Sequence, residues 1–233
     1  MAKTKAPVSG LTTRHIVYLI FMHTIGAMIL DAGINFGLAT AMYKNNKNPV
    51  YIWPLPNTLA GDIAVTIIIQ QTLTWILDRL AVRGDLKKGL VAPLRMPSDA
   101  PKLVRWFVGL EDVKAAGRPG IAFHVKRVVA IVVASFLLYW PITIGILYGL
   151  KNDHVGAVAS DGAGAQAAGD FNLWPFPQIF KGVYSAALGL TTPFISYVTL
   201  IYEGEKAAST GVSAAATTAA PTTAGDEESK VAN

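Results

Sequence analysis

Four apolar segments, each long enough to cross a lipid bilayer, leave this chain very few folds. Residues 16–43 carry His23 and Asp31 as their only ionisable groups apart from Tyr18 and Tyr43, and residues 59–77 carry one acid, Asp62. Residues 128–150 and 183–202 hold no acid or base. A helix rising about 1.5 Å per residue needs roughly 20 residues to cross ~30 Å of hydrocarbon. A core helix of a soluble domain would be shorter and would show a polar face. With 52% hydrophobic and 15% charged residues, the chain is too apolar for an ordinary soluble domain. The expected fold is all-α, an integral membrane four-helix bundle.

An internal repeat divides the four spans into pairs. Ile52-Trp53-Pro54-Leu55-Pro56 returns as Leu173-Trp174-Pro175-Phe176-Pro177, and each copy is followed by a glycine (Gly61, Gly182) that opens an apolar run. Lys44-Asn45-Asn46 precedes the first copy and Lys151-Asn152-Asp153 the second. Deleting the Gly/Ala run 156–169 brings the halves into register. The chain therefore reads as two tandem two-span hairpins running in the same sense, related by an axis along the membrane normal. Proline suits the approach to a helix because it lacks a donor and fixes φ, and tryptophan favours the headgroup level. Trp53, Pro54, Pro56, Trp174, Pro175 and Pro177 are accordingly read as interfacial anchors rather than as a ligand grip.

In chain order, residues 1–15 form a basic N-terminus. The basic start and the Ala39-Thr40-Ala41 pattern resemble a secretory signal, but the apolar run is about twice a signal core, so it reads as an uncleaved span. Residues 16–77 form the first hairpin. Residues 78–127 form a loop with 11 Lys/Arg against five acids. Within it Leu103, Phe107 and Leu110 recur at helical spacing, either lying on headgroups or packed on the loop itself. Residues 128–202 form the second hairpin, with a kink expected at Pro141 and an interruption at Thr191-Thr192-Pro193. Residues 203–233 read as a disordered tail. The N-terminus and long loop hold 14 of the 20 basic residues, so the positive-inside rule puts both termini in the cytoplasm and both Trp-Pro motifs outside.

The repeat also exposes an asymmetry, because the buried polar residues belong to the first hairpin. Asp31 and Asn35 share one helix face, and Asp62, Thr66, Gln70 and Thr74 share another. Antiparallel counting puts Asp31 level with Gln70 and Asn35 level with Thr66. Asp31 then lies near the midplane, where a carboxylate is costly and must be protonated, hydrogen-bonded or facing water. It reads either as a functional acid or as a packing group. His23 could extend a proton path, although it is offset by about 80° from Asp31 at 100° per residue. Gly33-x-x-x-Gly37, Gly145-x-x-x-Gly149 and Gly182-x-x-x-Ala186 offer close-packing faces.

No cysteine is present, and the four histidines have no metal-ligand spacing. Neither a metal nor a cofactor is therefore expected. The net charge of +5 is accounted for by membrane topology and does not point to nucleic acid. The segments MHTIGAMILDAGINFGLATAMY and WPLPNTLAGDIAVT, with the basic start and Ala/Thr-rich tail, resemble an uncharacterised family of fungal four-span membrane proteins. That resemblance carries no known activity. The expected role is non-enzymatic, acting through assembly with membrane partners or lipid. The basic loop would lie on anionic lipid, and a second copy or another membrane protein would serve as protein partner. The alternative is a small proton-linked transporter using Asp31. No nucleophile–base–orienter set supports an enzyme.

Overall fold

A computed structural model describes residues 5–53, 58–109, 120–153 and 170–218. The described residues form helices α1 (Thr13–Tyr43), α2 (Leu59–Lys88), α3 (Lys102–Val108), α4 (Ile121–Asp153), α5 (Phe176–Gly189) and α6 (Thr192–Thr218). α1, α2, α4 and the α5–α6 column are each long and apolar enough to cross a membrane. Pro54, Pro56, Leu110 and the 156–169 insert lie outside the described residues.

The expected pairing of each hairpin's own helices does not hold. α1 packs mainly on α5, and α2 packs on α4, α5 and α6. The most apolar stretch of the α5–α6 column is 61% buried, against 11% for that of α1. The first hairpin is therefore splayed around α5–α6. The reason lies in the glycines. A Cβ at Gly182 would meet the Ala32 carbonyl at 3.4 Å, and one at Gly189 would meet the Met28 Cα at 3.3 Å, so α5 comes close enough to α1 to displace α2. Gly33, Gly37, Gly145 and Gly149, expected on packing faces, have open space beside them.

α2 starts where the Thr58 hydroxyl accepts from the Gly61 N–H, a cap that satisfies one orphan donor. It continues to Lys88 rather than ending near Leu77, and stops at Gly89, whose φ of +70° suits glycine. The extension carries its charges into the fold, where Asp78 and Arg83 find polar partners and Arg79, whose nitrogens make no hydrogen bond, finds aromatic rings. Asp78 meets His23 and Ser196, Arg83 meets Glu203, and the Arg79 guanidinium lies over the rings of Trp75, Phe123 and Tyr202.

α4 begins seven residues before the expected 128 and runs through Pro141. α5 begins at Phe176 rather than 183, with Pro177 in its first turn. The interruption at Thr191-Thr192-Pro193 is present. Pro193 cannot donate to the preceding turn, and the Thr191 hydroxyl instead reaches the Leu188 carbonyl and the Gln71 side chain, both at 2.9 Å. α6 then continues past 202, through the start of the expected tail, to Thr218. Glu203 and Glu205 are held by Arg83 and by the Met96 N–H, and the following alanines favour helix.

The two Trp-Pro approaches meet at one end of the molecule, where Phe171 N–H donates to Val50 and Asn172 donates to the Asn46 and Asn48 carbonyls. Trp53 and Trp174 are exposed there. At the opposite end, residues 90–96 form a strap. It bonds the N-terminal segment through Val8 and His15, and α6 through Leu200 and Glu205. α3 covers this end with Phe107 and Val108 buried, while Trp106 and Leu103 face outward. Arg127 donates to the Phe107 and Trp106 carbonyls. Two apolar cores result, one at each end, with a polar layer containing Gln70, Gln71 and Ser185 between them.

Candidate functional site

The splay leaves a cleft of about 890 Å3 between α1 and α2, floored by Lys181 of α5 and Thr192 of α6. Its walls are apolar, with Phe21, Ile29, Leu30 and Ile34 facing Val65, Ile69, Leu73 and Leu77. His23, Asp31, Asn35, Asp62, Thr66, Gln70 and Thr74, the seven polar residues singled out in the sequence, all line it.

Polar side chains cross the cleft in four rungs, because Asp62, Gln70, Asp78 and Asp85 follow one stripe of α2 about 10–12 Å apart at 1.5 Å per residue. In the first rung Lys181 donates to Asp62, and the Tyr43 hydroxyl donates to the same carboxylate at 3.2 Å. In the second, Gln70 donates to Asp31 and to the Ser185 carbonyl, each at 2.8 Å. In the third, His23 Nδ1 bonds Asp78, and the Ser196 hydroxyl donates to the other oxygen at 2.7 Å. In the fourth, the Tyr18 hydroxyl donates to Asp85 at 2.9 Å.

The level pairing of Asp31 with Gln70 is thus realised as a hydrogen bond. Asn35 and Thr66 are not joined to each other. Each bonds the carbonyl four residues earlier, of Asp31 and Asp62 respectively. His23 bonds Asp78 rather than extending toward Asp31. It reaches the cleft because Tyr18–Gly26 is π-helical. The i→i+5 spacing turns the helix less per residue and removes much of the offset expected from α geometry.

Sequence reasoning missed Lys181, Asp78, Asp85, Tyr18, Tyr43 and Ser196. Lys181 had a signal, since it precedes Gly182 where Asp62 follows the equivalent Gly61. Asp78 had none in its own neighbourhood, because its partners lie on α1 and α6. The Ser196, Asp78 and His23 trio has the residue types of a hydrolase, but the carboxylate sits between the other two. No imidazole nitrogen is hydrogen-bonded to the serine oxygen, so this wiring does not activate a nucleophile. Among the described residues no cluster of three or more His, Asp or Glu could hold a metal ion.

The model of a protein family of unknown function, DUF2456, matches residues 120–200. An uncharacterised protein of Schizosaccharomyces pombe is 32% identical over 206 residues, covering 81% of this chain and 38% of that protein. An uncharacterised protein of Saccharomyces cerevisiae is 21% identical over 256 residues, covering 82% of this chain and 78% of its own length. The chain spans little more than a third of the fission-yeast relative. No solved structure matches it. These similarities point to uncharacterised fungal proteins as its relatives.

Proposed function

We propose that this relative of uncharacterised fungal proteins is a non-enzymatic, four-span integral membrane protein that acts by assembly, with the α1–α2 cleft as its docking face. The observation that carries the reading is the cleft itself, apolar-walled and open along two helices of membrane-spanning length. Rows of large apolar side chains on α1 and α4 stand outward, Leu30 and Leu137 among them, as lipid-facing residues do. Lipid or a membrane protein, a second copy included, occupies the cleft. The basic strap and α3 end lies against the anionic cytoplasmic leaflet, with both termini on that side.

Site-specific photo-crosslinking tests this. A photoreactive residue at Leu73, inside the cleft, is expected to capture a discrete lipid or protein adduct in native membranes. The same residue at Leu137 on α4 should give only diffuse bulk-lipid labelling. Identical labelling at both positions would remove the cleft's claim.

A second reading, proton-linked transport through Asp31, is favoured by the four ionisable rungs sharing one cleft. Asp31→Asn separates the two. Asparagine keeps an oxygen to accept from Gln70, so the variant is expected to accumulate and to retain the Leu73 adduct. Loss of a pH-driven flux in vesicles on this substitution would favour transport instead.

A further inference from the structure

Among the described residues, Arg79 carries the most buried polar atoms without a partner. The residue is 3% exposed, and its Nε, Nη1 and Nη2 make no hydrogen bond. The guanidinium carbon lies 4.9 Å from the Trp75 ring centre, 5.2 Å from that of Tyr202 and 5.7 Å from that of Phe123. Rings engage the face of a guanidinium. Its five N–H groups lie in the plane and call for acceptors. A buried charge without them is costly, and the fork they form matches the oxygens of a phosphate.

The surroundings favour an anion. Arg79, Arg83 and Arg127 all act electrostatically on His124, and Glu203 is the carboxylate among the described residues that acts on Arg79. Glu203 is already held by Arg83 at 2.6 Å. Arg127 is turned to the carbonyls of Trp106, Phe107 and Phe123. Arg79 alone of the three keeps its whole fork for something else. His124 adds a donor beside it, because its Nδ1 accepts from the Trp75 indole at 3.2 Å and the neutral ring then carries its proton on Nε2. Arg83 and His124 are half-buried, so the junction of α2, α4 and α6 opens on their side. No hydrogen bond has to break for Arg79 to turn toward it.

Depth identifies the source of the anion. Gln70, bonded to Asp31, stands near the midplane, and Arg79 follows it by nine residues, roughly 14 Å at 1.5 Å per residue. Half of a ~30 Å hydrocarbon layer is about 15 Å, so the guanidinium lies where lipid phosphates begin. Ile121, Val125 and Val129, on the same stretch of α4 as His124, are exposed, as side chains facing lipid are. We propose that this junction is a headgroup site, in which the Arg79 fork and the His124 Nε2–H bind the phosphate of an anionic phospholipid. The assignment rests on the membrane-spanning reading and is independent of the α1–α2 cleft.

The full chain in a neutral detergent can be titrated with phosphatidate and phosphatidylcholine, followed by native mass spectrometry. Inorganic phosphate, added at constant ionic strength, is followed by thermal shift. Phosphatidate is expected to be retained in preference to phosphatidylcholine. Arg79→Lys, which keeps the charge and loses the fork, should weaken phosphatidate about 10- to 100-fold, the range for hydrogen bonds to charged groups. Lys87→Gln/Lys88→Gln, which removes two exposed charges from the end of α2, should leave the preference in place. A shift with inorganic phosphate that Arg79→Lys removes, without retention of phosphatidate, would overturn the lipid as the source. Equal retention of the two lipids together with no phosphate shift would overturn the site, leaving the rings alone to hold Arg79. So would a preference lost in the double variant and kept in Arg79→Lys. Should Arg79→Lys not accumulate, the double variant decides, a kept preference supporting the site and a lost one overturning it. Arg79→Lys should leave the Leu73 adduct intact, so failure here is separate from failure of the docking role.

Discussion

Gly204→Ala should destabilise the protein, while the same change at Gly33 or Gly145 should not. An alanine in place of glycine inside a helix ordinarily gains about 1 kcal/mol. Gly33 and Gly145 lie within α1 and α4 with nothing near a new Cβ, so that gain is unopposed. At Gly204 of α6 a Cβ would overlap the Leu94 carbonyl, with the Leu94 amide nitrogen 3.1 Å away. These are backbone atoms, and they cannot rotate aside as a side chain would. The strap must lift, weakening its bonds from Leu94 to Leu200 and from Met96 to Glu205. A loss of about 1–3 kcal/mol is expected from overpacking, enough to reverse the sign. Thermal unfolding of the three variants in detergent checks this. A Tm for Gly204→Ala at or above that of the unmodified protein would mean that the strap does not cross α6 here.

Lys181→Met is expected to cost more than any single change at a cleft wall. The Lys181 side chain is 8% exposed and that of Asp62 14%, and removing one partner of such a buried pair leaves the other charge uncompensated, at roughly 3–5 kcal/mol. The Tyr43 hydroxyl alone cannot replace the cation. The double variant Asp62→Leu/Lys181→Met should recover most of the loss, because replacing both members of a buried pair by apolar groups is often neutral. Chemical denaturation of the two singles and the double, read as a cycle, gives the coupling. Additive losses in the double variant would show that the two residues do not act as a pair.

The depth of Asp31 against Gln70 was legible in the sequence, because counting back from a shared turn needs only the helical rise. The break at Pro193 was legible for a similarly local reason. The end of α2 was not. Asp78 and Arg79 have the chemistry of a span's end, and only His23, Ser196, Phe123 and Tyr202, all remote in sequence, together with the neighbouring Trp75, let the helix run on. Nor could the repeat reveal the splay. Gly182 and Gly189 draw α5 onto α1, and nothing in the first hairpin anticipates that its own partner helix is displaced. The phase of His23 was hidden because periodicity arguments assume α geometry, and a π-helical stretch breaks it without an obvious breaker residue.

The close approach of α5 to α1 has a further consequence. The aperture of the cleft is governed from its floor, by two positions of α5 without side chains. A Cβ at Gly189 would stand 3.0 Å from the Asp31 carboxylate and 3.4 Å from the Met28 nitrogen. A methyl group added there would press on α1 and on the Asp31 carboxylate, widening the opening while the apolar walls keep their residues. Related chains could thus diverge in the bulk of what they accommodate while every contacting side chain stays the same. Comparing wall residues alone would miss the difference.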